Sequence, residues 1–244
     1  MYKNILIILF TIIFFNGCSS KQMSDSWKRT KTASYTAATD PITWGTALGA
    51  TILYATPMDN KITKHFMEEG YFLSTNKDDF MREVNGAIAI TTATFVPDDG
   101  NYTKKIKRLI VEGSTLILAR ETVPVLYKNI SKENPAKTHN NAVGSHHALE
   151  PFTGAALTRR NVKQMNIDNW VKYTIVGSNY FLASLTSLIR VQEGGHSFGD
   201  QLVSASIGNY IGLFMHDVFM MENNANLNIA ISRNSLMAGI NYRF

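Results

Sequence analysis

Side chains able to handle a phosphoryl group or another compact anion recur at three places in this 244-residue chain. The densest is Arg190 to Asp200, an Arg-x5-His-x3-Asp arrangement built on Arg190, His196 and Asp200. His196 and Asp200 are four residues apart, so at the start of a helix they share a face. A carboxylate there can accept the imidazole Nδ1 proton and leave Nε2 as a nucleophile or base. Gly194 and Gly195 let the backbone approach closely and are expected to open that helix, whose free N–H groups favour an anion. Arg190 adds a fork of donors matched to phosphate oxygens. The same residues equally describe a helix-capping aspartate beside a structural histidine, and the stretch by itself supports both.

The second place is Gly144, Ser145, His146 and His147, a small hydroxyl and two imidazoles at the mouth of another helix. Adjacent residues point to different sides of a helix, so at most one of the two histidines is expected to serve a shared site. The third is Lys128 to Pro135, a basic segment running into a proline that is expected to end the preceding helix. His65 and His139 have no recognisable partners, and His216 with Asp217 reads as a core pair.

These groups need a scaffold, and the apolar spacing supplies helices near 41–55, 60–69, 78–95, 103–127, 147–158, 166–189 and 197–222. Pro97 to Gly100 is a strong turn, and Asp78 suits an N-cap. Stretches such as Thr46 to Ala50 and Ala87 to Ile90 have little polar face, which belongs inside a tightly packed bundle. The fold class is therefore all-α, a helical domain over 41–223. The tail, 224–244, alternates apolar residues at period two around Ser232 to Ser235 and reads as a short β-hairpin.

The chain opens with a charged start, an apolar run from Ile5 to Phe15, and Gly17-Cys18. That run is too short to span a bilayer, and the pattern is that of a secretory signal peptide over residues 1–17. Ending at Gly-Cys, it resembles the bacterial lipoprotein signal, which implies acylation of Cys18 and, with Ser19 following, the outer membrane. Residues 18–40, rich in Ser, Thr and Lys, read as a tether. The single cysteine excludes an intramolecular disulfide and a cysteine-based zinc site. The longest later apolar stretches, Val171 to Ile189 and Gln201 to Met220, carry charged or polar residues that disfavour a membrane span. The net charge of +5 is mild, below what a nucleic-acid binder usually shows, and suits phosphates or lipid headgroups. Lys104 to Arg108 reads as a solvated helix face or a headgroup contact.

In order and spacing the three stretches resemble the type-2 phosphatidic acid phosphatase and haloperoxidase superfamily. Its signature is Lys-x6-Arg-Pro, then Pro-Ser-Gly-His, then Ser-Arg-x5-His-x3-Asp. The third motif is matched at Arg190, His196 and Asp200, with Ile189 where serine is usual. The second aligns at Ser145 and His147, with Gly144 for proline and His146 for glycine, and the Phe-x-Gly-Ala-Ala-Leu helix from Phe152 is typical of the family. In the first, Pro135 fits, Asn134 stands where arginine is expected, Lys128 lies one residue too close, and Lys132 is the nearest other cation.

The resemblance implies a bundle with its site at the ends of the central helices, and phosphoryl transfer without metal or cofactor. His196 would attack phosphorus, Asp200 orient its ring, and His147 protonate the leaving oxygen. Arg190, Lys128 or Lys132, and Ser145 would hold the phosphoryl oxygens. The pocket holds vanadate in haloperoxidases, and nothing in this sequence favours that. The expected activity is hydrolysis of a lipid phosphate or pyrophosphate, or of a phosphomonoester, in the bacterial envelope, with no nucleic-acid partner. The alternative is a phosphatase-like scaffold, impaired in turnover, that binds anionic groups or a partner there.

Overall fold

The computed structural model describes residues 20–69, 77–138, 140–220, 225–232 and 235–242. The signal sequence read at 1–17, Cys18 and His139 lie outside the described residues. The chain runs α1 (Ser20–Ala38), α2 (Pro41–Tyr54), α3 (Met58–Glu68), α4 (Asp78–Phe95), α5 (Tyr102–Asn129), β1 (Ser131–Glu133), β2 (Asn140–Ala142), α6 (His146–Gln164), α7 (Asn169–Gln192), α8 (Phe198–Met220), β3 (Ala225–Ser232) and β4 (Ser235–Tyr242). The class is all-α. The strands form two separate antiparallel pairs: β1 with β2, and β3 with β4, in which Ser232 faces Ser235.

The axis of the bundle is α6, which is buried from His147 to Thr158 apart from Glu150 and packs against α4, α5, α7 and α8. Its small residues let neighbours approach to backbone contact. A Cβ on Gly208 of α8 would fall 2.2 Å from Leu149 O, and one on Gly212 would fall 2.8 Å from Thr153 O. Gly154 meets Asn85 of α4 in the same way. The Thr153 hydroxyl buried here is paired, lying 2.8 Å from Leu149 O and 2.9 Å from Gly208 O.

Asp40 starts α2 and ties it to the axis. Its Oδ1 accepts from the Ile42 N–H at 3.1 Å and from Asn209 Nδ2 at 2.8 Å, while Oδ2 pairs with Arg159 at 2.6 Å. At one end of the bundle the wholly buried Arg108 pairs with Asp98 of the 97–100 turn at 2.8 Å. His216 and Asp217 join that network, with Nδ1 and Oδ1 3.2 Å apart. The anion-handling residues gather at the other end.

Two expectations change. Residues 20–38 are helix rather than tether: Ala33 and Ala37 are fully buried, and the Ser34 and Tyr210 hydroxyls are 2.9 Å apart. Thr30, Ala33, Ser34 and Ala37 form a stripe of small side chains that seats on α8, a pattern without the large apolar residues that usually announce a helix. Pro135 does not end α5, which stops at Asn129 and passes into the β1–β2 pair. No helix of the described residues is long and apolar enough to cross a membrane.

Gly208→Ala forces a methyl into the Leu149 carbonyl and is expected to cost about 1–3 kcal/mol in urea unfolding. Gly45→Ala, in α2 with no atom within 4 Å, is expected to be neutral or to stabilise by about 0.5–1 kcal/mol.

Candidate functional site

Helix α7 ends in a Schellman motif that aims Arg190. Gly194, with φ at +68°, donates its N–H to Val191 O at 2.9 Å, and Gly195 donates to Arg190 O at 3.1 Å. Gly194 thus closes α7 rather than opening α8. A Cβ there would strike Ala136 and Met67, so the 134–138 turn is packed directly on this one. Helix α8 opens three residues later with a reciprocal capping box. The Ser197 N–H donates to Asp200 Oδ2 at 2.9 Å, and the Asp200 N–H donates to Ser197 Oγ at 3.3 Å.

The first turn of α8 is not an empty anion cradle. The Phe198 N–H donates to Thr63 Oγ1 at 3.0 Å and the Gly199 N–H to Asp59 Oδ1 at 2.7 Å, both supplied by α3. A protein carboxylate occupies the place assigned to a guest anion. Asp200 is engaged from several sides: the Tyr54 hydroxyl donates to its Oδ1 at 2.5 Å, and Lys132 Nζ lies 2.9 Å from the same oxygen. Burial and the Asp200 and Asp59 charges push the Tyr54 hydroxyl well above its ordinary pKa, which keeps it a donor. His196 Nδ1 is left 3.9 Å from Asp200 Oδ2, beyond hydrogen-bond distance. Of the two sequence readings of Asp200, the cap is made and the hydrogen bond to the imidazole is not.

His147 finds its carboxylate elsewhere, on α4. Its Nδ1 lies 3.2 Å from Asp78 Oδ2, and the same oxygen lies 3.4 Å from Arg190 Nη1. Asp78 is therefore the bridge between the second and third motifs. The sequence offered it only as an N-cap, a position that Lys77 holds. Arg190 also pairs with Glu193 at 2.5 Å, and Arg82 with Asp79 at 3.0 Å. His146 is part of the cluster as well, its ring centroid 3.9 Å from that of His147, so both adjacent histidines reach it.

Of the two candidate lysines the structure brings in Lys132 and not Lys128, which is exposed in the last turn of α5. Asn134 is spent on its own turn: its Nδ2 donates to Thr138 Oγ1 at 2.9 Å, and its Oδ1 accepts from the Thr138 N–H at 2.8 Å. Ser145 begins α6. Its N–H donates to Ser204 Oγ at 2.7 Å, and the Ser204 hydroxyl donates to Asp200 O at 2.8 Å, which links the starts of α6 and α8.

Among the described residues, several buried polar atoms here have no hydrogen-bond partner: Ser145 Oγ, His147 Nδ1, His196 Nδ1 and Arg190 Nε. The two imidazole nitrogens face the carboxylates of Asp78 at 3.2 Å and Asp200 at 3.9 Å. Each orphan costs about 1–3 kcal/mol, which leaves Ser145 Oγ and Arg190 Nε as the groups a guest could satisfy.

All three imidazoles are held neutral. Burial is the largest cause in each. It lowers His146 to about 4 with help from Arg82 and Arg190, and His147 to about 2 with help from His146 and Arg190. His196 falls to about 4, the Asp200 charge opposing the burial. The opposite protonation states that acid–base chemistry needs are thus not built into the protein's own groups. Comparisons with protein-family models, curated proteins and solved structures find no match to this chain.

A histidine whose pKa is depressed by folding stabilises the native state above its unfolded value, near 6.5, and that contribution is lost as pH falls through the folded value. Stability against urea is therefore expected to fall between pH 6.5 and 4, and the slope to flatten in His146→Gln/His147→Gln.

Proposed function

We propose that this chain is a metal-independent phosphatase of the bacterial envelope that hydrolyses a lipid phosphate, pyrophosphate or phosphomonoester through a phosphohistidine at His196. The reading takes the bundle as one of the phosphatidic acid phosphatase and haloperoxidase type with a C-terminal β-hairpin. It takes Cys18 as a lipid anchor holding the domain on the periplasmic side of the outer membrane. The observation that carries it is the meeting of His147 and Arg190 at Asp78 and of Lys132 and His196 at Asp200, with Ser145 Oγ and Arg190 Nε left without a hydrogen-bond partner among the described residues.

A phosphoryl group in that cluster accepts hydrogen bonds from Ser145 and Arg190 and draws Lys132 from Asp200. His196 Nε2 bonds to phosphorus as the bond to the leaving oxygen breaks, and that oxygen takes a proton from His147. Water then attacks the phosphohistidine, returning its proton to His147 and releasing phosphate. The negative guest raises the pKa of His147, so the acid is charged by the substrate it serves. Asp78 holds that ring and steadies Arg190 through one oxygen.

Asp78, Asp79 and His147 also bring potential metal-ligand atoms within 4.8 Å of one another. Arg82 and Arg190 already supply cations to those two carboxylates, which favours the metal-free reading. A scaffold that binds anions without turnover is the second reading, supported by the engagement of Asp200 with Tyr54, Lys132 and the Ser197 N–H.

Phosphate release by residues 19–244, over a panel of lipid and soluble phosphoesters, separates these readings. Turnover abolished in His196→Ala and indifferent to chelator supports the phosphatase. Loss to chelator with rescue by a divalent metal overturns the metal-free mechanism, and tight phosphate binding without turnover supports the scaffold. Calorimetry of phosphate binding at pH 7, in buffers of different ionisation enthalpy, is expected to read more proton uptake in the wild type than in His147→Gln, phosphate's own ionisation cancelling in the comparison.

A further inference from the structure

We propose that the end of the bundle remote from the histidine cluster is a seat for an anionic lipid surface, formed by the outward face of α1 and the first turns of α5. The inference rests on the reading of Cys18 as a lipid anchor for its direction, since α1 begins at Ser20, two residues after that cysteine. The contacts along α1 and α2 show which way they run. Arg29 lies near Lys107 at the Arg108 end, Asp40 holds Asn209 midway, and Tyr54 reaches Asp200 at the histidine end. At 1.5 Å of rise per residue, Ser20 to Asp40 and then Asn209 to Asp200 span about 40 Å.

The outward face of α1 carries Trp27, Lys28, Lys31 and Tyr35, all exposed, with Trp27 at 60 % and Tyr35 at 72 %. Lys31 Nζ lies 5.2 Å from the Trp27 ring centroid. The only acid on α1 is Asp25. On α5, Tyr102 at 84 % and Ile106 at 43 % are exposed one turn apart, while Lys104 and Lys107, on another side of the helix, are half-buried. Within α5 no acid precedes Glu112, and Asp98 before it pairs with Lys105 and Arg108. The side-chain charges acting most strongly on Lys107 are Arg29, Lys104 and Arg108, all positive, and they depress its pKa together with burial.

Tryptophan and tyrosine are the apolar residues suited to the headgroup layer, and lysines beside them match anionic lipid. The combination of basic and aromatic groups separates this face from the outward stripes of α2 and α7. There Trp44, Leu48 and Ile52, and Trp170, Tyr173 and Phe181, carry little accompanying charge.

The test is sedimentation of residues 19–244, which include every described element, with phosphatidylcholine vesicles containing or lacking phosphatidylglycerol. Binding is expected only with phosphatidylglycerol, to weaken as salt is raised, and to fall about tenfold or more in Lys28→Glu/Lys31→Glu/Lys107→Glu. Lys61→Glu/Lys64→Glu, on α3 at the histidine end, is expected to bind as wild type. In a Trp44→Phe/Trp170→Phe background, Trp27 fluorescence is expected to shift to the blue on the same vesicles, a readout that needs no charge reversal. Equal binding to both vesicle types, wild-type binding by the triple variant, or an unmoved Trp27 spectrum overturns the proposal. Residues 19–244 lack Cys18 and any acyl chain on it, and sedimentation reads binding rather than phosphate release, so its failure is distinct from failure of the phosphatase reading. His196→Ala is expected to leave vesicle binding intact.

Discussion

Helix α6 can carry two histidines towards the interior because α8 presents glycines at the two places where the helices meet most closely. Gly208 and Gly212 leave room for the Leu149 and Thr153 carbonyls, and any Cβ there would lie within 3 Å of backbone. That approach lets Ser204 bridge the Ser145 N–H and Asp200 O, so the starts of α6 and α8 are held by one hydroxyl. His147 follows the first of these and His196 precedes the second. Their proximity is a consequence of small residues two to four turns further into the bundle.

The electrostatics of the cluster follow from that burial. Guanidinium and ammonium groups of Arg82, Arg190 and Lys132 face carboxylates of Asp79, Asp78 and Asp200, so the charges are largely matched internally. Removing charges from water is costly unless each is paired. A guest anion must therefore exchange for a protein carboxylate rather than enter a vacant positive hole. Lys132 is the group best placed for that exchange, because it touches Asp200 and Ser197 while its side chain remains 34 % exposed. The imidazoles, for their part, are kept neutral chiefly by burial.

Much of the scaffold was legible because its helices obey ordinary signals. The α4 boundaries match the periodicity to the residue, and Asp40 before Pro41 and the 97–100 turn punctuate the chain as their chemistry requires. Helix α1 was not legible, since its buried stripe of Thr, Ala and Ser gives no contrast with a polar linker. The third motif was readable as a spacing, but spacing could not tell which contacts Asp200 makes. That choice depends on Tyr54 and Lys132, 146 and 68 residues away in sequence. Asp78 was hidden for the same reason. A lone acid at a helix start looks like a cap until the tertiary fold sets it 3.2 Å from His147.

The central claim is that Ser145, Arg190 and His196 form one receptor for a phosphoryl group, and a crystal structure with orthovanadate tests it most directly. The expected result is vanadium bonded to His196 Nε2, its oxygens held by Arg190 and Ser145, with Lys132 turned from Asp200 to the anion. A crystal in which vanadate is absent from this cluster, with Lys132 and Tyr54 still closed on Asp200, would contradict it.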